Sequence, residues 1–371
     1  MVCRRRPLHG KPFRNMARSS SSGSDKPASG DTGDVRRAST RSTGSVTLGD
    51  VAKLAGVSPI TVSRVLNRPE MVTADTIEAV RRAIAETGYV PNLLAGGLAS
   101  SRTKLIAAII PTLGNAMFID TIQPLNDCLS AAGYQLMLGL SGFPELCEED
   151  LLKAILSRRP DAIVLTGVNH SAETRQCLLA AKIPVVETWD LTATPIDMLV
   201  GFSHEKVGAE VANYLFGKGY RRFAQVCAED ERAQIRRRSF EAALRDKGQS
   251  CLSTVCVPTP TTVRMGREGL AQLLAEGHRP EVVFCSSDVL AHGVLAEAQS
   301  RGLRVPDDMA VMGFADLDFA AYTFPSLSTV HVDRAAMGRH AGEVLLARLS
   351  GRPVDKKMVD IGFSIVARAS A

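Results

Sequence analysis

Residues 47–66 read TLGDVAKLAGVSPITVSRVL, and this stretch predicts two short helices joined by a tight turn. Thr47, followed three residues later by Asp50, is typical of a capping box at the start of the first helix. Ser58 is the expected N-cap of the second helix, with Pro59 at its first position, where the missing N–H leaves no hydrogen bond unmade. The pattern is that of a helix-turn-helix, whose second helix enters the major groove of DNA.

The second helix has one face for the core and another for DNA. Val62, Val65 and Leu66 recur at helical spacing and predict the buried face. The residues left near its start or on its outer surface are Ser58, Pro59, Ile60, Thr61, Ser63 and Arg64. Neither Pro59 nor Ile60 can hydrogen-bond a base edge through its side chain, so the readout left to Ile60 is contact with a thymine methyl group. Shaping the start of the helix is an equal alternative for Pro59.

From residue 105 onward, short aliphatic runs alternate with amphipathic stretches. Strands are predicted at 105–111, 134–140, 161–166, 184–188, 198–202, 222–227, 281–285 and 309–314. Helices are predicted at 118–132, 145–157, 206–217, 234–247 and 289–301, and a further one in the preceding region from Thr73 to Gly88. Strand and helix in succession predict parallel sheets covered on both faces, and this region is long enough for two such subdomains. Ligands of open sheets of this kind lie beyond the carboxyl ends of the strands.

The first 45 residues differ from the rest in composition and charge. They have a net charge of +7, whereas the whole chain of 371 residues has +5. Rich in Ser, Gly and Pro, the segment cannot bury enough apolar area to offset its ordering entropy, and a disordered basic arm is expected. Non-specific contact with DNA phosphates is one possible role. An unselected extension, with Met16 as the true start, is favoured because a single aromatic residue, Phe13, does not give the aromatic interleaving that base stacking needs.

The stretches VTLGDVAKLAGVSPITVSRVLNRP, ETGYVPN and RTKLIAAIIP resemble the lactose-repressor (LacI/GalR) family of bacterial transcription regulators. The resemblance covers residues 46–371. It implies an all-α helix-turn-helix headpiece with a hinge helix, followed by an α/β, two-subdomain, periplasmic-binding-protein-like effector domain. The expected domains are the disordered basic arm (1–45), the helix-turn-helix DNA-binding domain (46–90), the hinge (91–104) and the two-lobed effector-binding and dimerisation domain (105–371).

The resemblance also implies partners. The expected protein is a homodimer, or a tetramer, that binds double-stranded operator DNA and a small effector, needs no cofactor and acts at the nucleoid in the bacterial cytoplasm. The residues implied in DNA contact are Thr47, Ser58, Pro59, Ile60, Thr61, Ser63, Arg64, Asn67, Asn92 and Leu98. In family members a leucine matching Leu98 is wedged into the minor groove, which kinks the duplex; packing in the dimer interface is the alternative.

For the effector, the resemblance implies a site in the cleft between the subdomains. Its residues would be Asn115, Met117, Phe118, Thr166, Glu187, Trp189, Arg236, Ser287, Asp288 and Asp316. For Trp189, the only tryptophan, stacking on a sugar face and plain core packing are equally open. Arg236 matches a family arginine on the effector, while Ala315 stands where neutral-sugar binders often carry an aspartate. An acid whose carboxylate a guanidinium holds bidentately is therefore favoured.

Three more stretches, SRRPDAIVLTGVNHSAETR, IPVVETWDLTATPIDMLVGFSH and KKMVDIGFS, are similar to the gluconate-utilisation repressors within the family. Gluconate, a ketogluconate or a phosphogluconate is the effector class this implies, although a phosphate would need more positive charge than Arg236 supplies. The alternatives are a repressor that responds to a neutral sugar and a sugar-binding solute receptor. The receptor alternative leaves residues 46–101 without a use.

The sequence lacks the motifs that would indicate other classes of function. The nucleotide-binding and hydrolase patterns G-x-G-x-x-G, G-x-x-x-x-G-K-[ST] and G-x-S-x-G do not occur, so an enzyme is not expected. His170, His204, His292 and His331 have no paired-ligand spacing and are predicted to be solvated surface residues. The eight cysteines also lack metal-ligand spacing and are interpreted as reduced core thiols. No apolar run reaches the 18 residues of a membrane span, which favours a soluble intracellular protein.

Overall fold

The computed structural model describes residues 46–90, 102–114, 116–142 and 148–371. The chain separates into two compact units, Met1–Pro91 and Asn92–Ala371, which are called the headpiece unit and the effector unit. The predicted basic arm, most of the predicted hinge and the site candidates Asn92, Leu98 and Asn115 lie outside the described residues.

Three helices form the headpiece. They are α1 (Leu48–Ala55), α2 (Pro59–Asn67) and α3 (Ala74–Thr87), with a 3-10 turn at Pro69–Met71. The predicted capping box is confirmed, because the Thr47 amide donates to Asp50 Oδ2 at 2.8 Å and the Asp50 amide donates to Thr47 Oγ1 at 3.3 Å. Gly56 ends α1 in the left-handed conformation, with φ of 67°.

A small apolar core holds these helices together. Val51, Val62, Val65 and Val80 are buried in it, one or two from each helix. Leu54, at helical spacing from Val51 on α1, lies outside this core and is 48% exposed. With only short helices to pack, the headpiece buries one narrow stripe of each and leaves the start of α2 open to solvent.

The effector unit contains two parallel sheets. Its strands are β1 (Leu105–Ile110), β2 (Gln135–Leu140), β3 (Ala162–Thr166), β4 (Val185–Thr188), β5 (Met198–Gly201), β6 (Phe223–Ala228), β7 (Cys251–Val257), β8 (Val282–Cys285), β9 (Ala310–Met312), β10 (Thr329–His331), β11 (Met358–Asp360) and β12 (Ser364–Val366). Its helices are α4 (Ala116–Ala131), α5 (Glu148–Leu156), α6 (Ala172–Ala181), α7 (His204–Gly217), α8 (Glu231–Arg245), α9 (Val263–Ala275), α10 (Asp288–Ser300) and α11 (Arg334–Leu349). An all-α headpiece followed by a two-lobed α/β unit confirms the predicted fold class.

Each sheet is the centre of one lobe. The first lobe has the strand order β11-β5-β4-β3-β1-β2, and the second has β7-β6-β8-β9. All neighbours within both sheets pair in parallel, whereas β10 and β12 form a separate antiparallel pair. Continuous aliphatic runs such as LIAAII in β1 suit strands that helices cover on both faces.

The chain passes between the lobes three times, from β5 to α7, from β10 to α11 and from β11 to β12. The first lobe is therefore completed by α11, which packs against α4, and by β11, which pairs with β5. The second lobe is continuous from α7 to β9. These three connections form the junction between the lobes.

Two sequence interpretations need correction. Cys256 is exposed rather than a core thiol, while the other described cysteines, all free, are buried or half-buried. His170 and His204 are not solvated surface residues, because the side chain of His170 is only 2% exposed and His204 as a whole is 1% exposed. In the described part of the chain, no helix is long and apolar enough to cross a membrane.

Candidate DNA-binding and effector sites

The start of α2 presents the predicted DNA-reading residues. Ile60 is 65% exposed, and Ser58, Pro59 and Arg64 are also exposed. Ser58 Oγ accepts from the Thr61 amide at 3.2 Å and lies 2.9 Å from Thr61 Oγ1, so the two hydroxyls are already paired. An apolar side chain and an exposed guanidinium therefore remain as the groups most open to a base edge or a phosphate.

Two other predicted DNA-contact side chains, those of Asn67 and Thr47, already have partners within the headpiece. Asn67 Nδ2 donates to the Ser63 carbonyl at 2.9 Å, which ties the end of α2 to its own preceding turn. Thr47 Oγ1 donates to Asp50 Oδ2 at 2.7 Å within the capping box. Any contact of these groups with DNA would add to a hydrogen bond or replace one.

A cavity of about 560 Å³ opens between the two lobes of the effector unit. On the first lobe it is lined by residues at or just beyond the carboxyl ends of strands, including Pro111 after β1, Ser141 after β2 and Thr166 at the end of β3. On the second lobe, Glu229 follows β6 and Pro258 follows β7. The opening lies at the edge where parallel strands of both sheets end, which is where ligands of open α/β sheets bind.

A narrower recess, of about 40 Å³, continues from this cavity and shares Asp230, Arg232 and Thr259 with it. The recess brings together predicted residues from both lobes, namely Met117, Phe118, Trp189, Arg236 and Ser287. Trp189 is 1% exposed and meets the rings of Phe118 and Phe202 edge-on, with centroids 5.4 and 6.1 Å away. Its indole is part of the core and also walls the recess.

Arg236 forms part of the recess wall, where other protein groups hold it. Its Nη1 donates to His204 Nδ1 at 2.8 Å, and its Nη2 donates to the Ser286 carbonyl at 3.0 Å. The guanidinium also lies 3.9 Å from the centre of the Phe314 ring. Because a guanidinium only donates, His204 Nδ1 must be the acceptor, and His204 Nε2 carries the proton that it donates to the Trp189 carbonyl at 2.7 Å. Burial, and the nearby charge of Arg236, hold the pKa of His204 well below its ordinary value.

Asp288 and Asp316 do not line the cleft. Asp288 is fully buried, where its Oδ1 accepts from Thr329 Oγ1 at 2.6 Å and its Oδ2 accepts from the Leu317 amide at 2.7 Å. Asp316 accepts from Arg368 at 2.7 Å and faces His331 Nδ1 at 2.9 Å. The prediction places both carboxylates at the effector, whereas in the structure each is paired with other protein groups away from the cavity.

Glu187 also lies behind the cavity wall, where it meets two residues that the sequence did not single out as effector ligands. His170 Nδ1 lies 3.1 Å from both carboxylate oxygens of Glu148, and His170 Nε2 lies 3.5 Å from Glu187 Oε1. Glu148 and His170 line the cavity. No local motif reveals this cluster, because Glu148 and His170 are 22 residues apart and meet only through the fold.

Arg232, in the first turn of α8, was also missed. It lines both the cavity and the recess, and its guanidinium lies 5.5 Å from the centre of the Phe118 ring. Its nearest carboxylate is Asp230, at 3.9 Å, and among the described residues its side chain makes no hydrogen bond. Arg232 and Arg236 are one helical turn apart on α8. Arg232, nearer the start of the helix, is the one that lines the larger cavity.

The cavity wall is predominantly acidic. Among the described lining residues, the carboxylates are Glu148, Asp190, Glu229, Asp230 and Glu231. The basic side chains there are His170 and a single arginine, Arg232, with no lysine. Burial raises the pKa of Asp190. One guanidinium among many carboxylates suits a ligand with a single acidic group and several hydroxyl donors.

Models of known protein families match residues in both units of the chain. A model of the bacterial regulatory proteins of the lacI family matches residues 47–92, and a model of a periplasmic binding protein-like domain matches residues 212–371. The chain is 38% identical to the HTH-type transcriptional regulator GntR of Pseudomonas aeruginosa over 335 residues, which are 89% of this chain and 97% of that relative.

Two solved structures extend the likeness to three dimensions. A LacI family transcriptional regulator from Silicibacter pomeroyi superposes with a TM-score of 0.83 at 32% identity, over 88% of this chain and 99% of that one. The lac repressor dimer bound to operator and the anti-inducer ONPF superposes with a TM-score of 0.75 at 25% identity, over 88% and 99% of the two chains.

Proposed function

The chain belongs to the LacI family of bacterial regulatory proteins and is a DNA-binding transcriptional repressor, and we propose that a gluconate-like sugar acid bound between its lobes sets its affinity for operator DNA. In this proposal residues 46–90 read the operator and residues 105–371 bind the effector. As in the lac repressor dimer, two copies would place two reading helices on one pseudo-palindromic site.

The observation that carries the proposal is the position of Arg232. It is the one lysine or arginine on the described cavity wall, and no other protein group takes its hydrogen bonds among the described residues. A guanidinium with free donors binds a carboxylate bidentately. We therefore assign the effector's carboxylate to Arg232, with Arg236 as a support for the recess wall behind it.

The acidic wall selects the rest of the ligand. Carboxylates accept hydrogen bonds from sugar hydroxyls, so Glu148, Asp190 and Asp230 suit a polyol chain. A phosphate would bring further negative charge among five carboxylates with only one guanidinium to meet it. An unphosphorylated acid such as gluconate is favoured over a phosphogluconate.

Regulation follows from the position of the cavity between lobes. A ligand that touches both lobes favours the arrangement in which its contacts are complete, and its leverage equals the difference in its affinity for the two arrangements. The same difference must appear reciprocally as a change in effector affinity when operator is bound.

Operator binding measured with and without effector tests the proposal. The operator is selected from a randomised pseudo-palindromic library, and fluorescence anisotropy is recorded at one salt concentration with gluconate, ketogluconate, phosphogluconate or glucose. Gluconate or ketogluconate should change operator affinity at the lowest concentration. Arg232→Gln should weaken this response about 10- to 150-fold, the loss expected for a hydrogen-bonded charge.

Arg264→Gln serves as the matched control, because Arg264 is exposed on α9 and its ion pair with Glu268 at 3.8 Å lies away from the cavity. A protein that binds no selected operator is not a repressor. A protein that responds to glucose and to none of the acids has a neutral-sugar effector, and the proposed ligand class is then wrong.

A further inference from the structure

Three ionisable side chains from three separate elements meet at the first-lobe wall of the cavity. Glu148 begins α5, His170 lies in the loop after β3, and Glu187 lies on β4. The side chains of Glu148, His170 and Glu187 are 10%, 2% and 0% exposed, respectively. They are called the Glu-His-Glu cluster. The DNA-binding role of the headpiece does not explain why these three side chains meet in the effector unit.

Both ring nitrogens of His170 face carboxylates. Nδ1 is 3.1 Å from Glu148 Oε1 and Oε2, and Nε2 is 3.5 Å from Glu187 Oε1. A neutral imidazole would turn a lone pair toward one of them, whereas an imidazolium has an N–H on each side. Among the described residues, only Nδ1 is hydrogen-bonded, to Glu148; His170 Nε2 and Glu187 Oε1 face each other without a hydrogen bond. Burial by itself would lower the pKa of His170, but the hydrogen bond and charge of Glu148 and the charge of Glu187 raise it overall.

The other groups around the cluster are accounted for. Glu187 Oε2 accepts from the Ile196 amide at 2.6 Å, and Arg175 on α6 contributes positive charge near Glu187. Glu149, beside Glu148, accepts from Ser171 Oγ at 2.7 Å. The start of α5 is therefore attached twice to the loop that follows β3.

Glu148 is the carboxylate that the cluster presents to the cavity, since Glu187 lies behind the wall. A carboxylate has about four lone-pair positions, so a single ring N–H leaves others for a ligand. His170 fixes the orientation of this carboxylate and offsets part of its charge.

Resting on the proposed function, we infer that Glu148, oriented by His170 and Glu187, is the specificity-determining group that accepts effector hydroxyls and rejects a phosphate. The ligand class is an unphosphorylated polyhydroxy acid. His170 and Glu187 are positioning residues. Deprotonation of His170 makes the cluster more negative and turns a ring lone pair toward one of its two carboxylates, so affinity for the acid falls as pH rises through the raised pKa of His170.

Calorimetric titration of the full-length protein with gluconate and with 6-phosphogluconate, between pH 6 and 8.5, tests this inference. Wild type should prefer gluconate, with an affinity that falls as pH rises. Glu148→Gln removes one charge at nearly constant volume; it should weaken gluconate roughly tenfold or more and reduce the preference over phosphogluconate. His170→Gln should weaken gluconate and flatten the pH dependence.

Asp150→Asn is the control, because Asp150 is on the same helical turn, its side chain is 97% exposed and it does not line the cavity. It should keep the wild-type preference and pH profile. If Glu148→Gln keeps them too, the inference is wrong even though the proposed function stands. If wild type binds neither acid, the proposed function fails, and the inference fails with it. Should His170→Gln not fold, the preference of Glu148→Gln decides.

Discussion

Replacing Asp288 with Asn should make the effector unit more stable at neutral pH. Burial raises the pKa of this carboxyl from 3.8 to about 6, despite the hydrogen bonds from Thr329 and Leu317. Each unit of pKa difference between folded and unfolded states corresponds to about 1.4 kcal/mol, so the ionised form costs about 3 kcal/mol of stability above pH 6. Asn has no charge to bury.

The sign follows from proton binding. Between pH 3.8 and about 6 the folded chain holds a proton at Asp288 that the unfolded chain has lost, so the free energy of unfolding falls as pH rises through this window. Below the window wild type and variant should be similar in stability. Above it the Asp288→Asn variant gains up to about 3 kcal/mol, because its amide oxygen still accepts from Leu317 and its NH₂ donates to the Thr329 hydroxyl.

Urea unfolding followed by tryptophan fluorescence measures this difference. Trp189 is the only tryptophan and is buried in the effector unit, so its emission reports on that unit. Protein concentration is held constant, because dimerisation contributes to apparent stability. Asp355→Asn, on the exposed surface, is the control and should change stability by less than about 0.5 kcal/mol. A difference between Asp288→Asn and wild type that does not vary with pH would refute the reasoning.

Three further changes test other parts of the chain. Ser58→Ala removes the cap on the Thr61 amide and should cost about 1 kcal/mol, seen as about fivefold faster hydrogen exchange in α2; unchanged exchange would contradict the cap. Gly201→Ala places a Cβ 2.1 Å from the Asp190 carbonyl oxygen and should destabilise the effector unit by about 1 to 3 kcal/mol or more, seen as a lower urea midpoint; an unchanged midpoint would show that the backbone around Asp190 shifts easily. Ile60→Ala should weaken binding to a selected operator that contains thymine but not to the same operator with deoxyuracil, which lacks the methyl group; equal losses on both would exclude methyl readout.

Local rules predict the headpiece well. Thr47, Ser58 and Gly56 act at helix ends through neighbours three or four residues away, so the sequence contains all the information needed. The same holds for the buried aliphatic strands, whose observed bounds lie close to the predicted ones. The edge strand β7 was missed, because its sequence, CLSTVCV, mixes polar and apolar residues on a half-exposed surface.

Helix α11 was missed for a different reason. Its buried face has only two large apolar residues, Met337 and Leu345, and the small residues Gly338, Ala341 and Gly342 lie between them. A Cβ at Gly338 would lie 2.1 Å from the Thr121 carbonyl oxygen of α4, which shows how closely the two helices approach. Close packing of small side chains leaves little hydrophobic periodicity to detect.

The effector site depends on long-range geometry, and prediction was weaker there. Arg232 and Arg236 differ by one helical turn, and only the orientation of α8 decides which one reaches the cavity. His170 and His204 were predicted to be exposed, but carboxylates, an arginine and a backbone carbonyl make their burial possible. Partners of this kind are far apart in sequence, so their effect on burial becomes visible only in the fold.

The three passages between the lobes also set an order for folding during synthesis. The second lobe is continuous from residue 204 to residue 312, so a ribosome that has released it has released a sheet with all four strands. The first lobe begins about a hundred residues earlier but must wait for residues 334–360, which supply its covering helix and its outer strand. A product that stops before this return would carry a complete DNA-reading headpiece joined to an unfinished first lobe. Chain completion therefore comes before effector control.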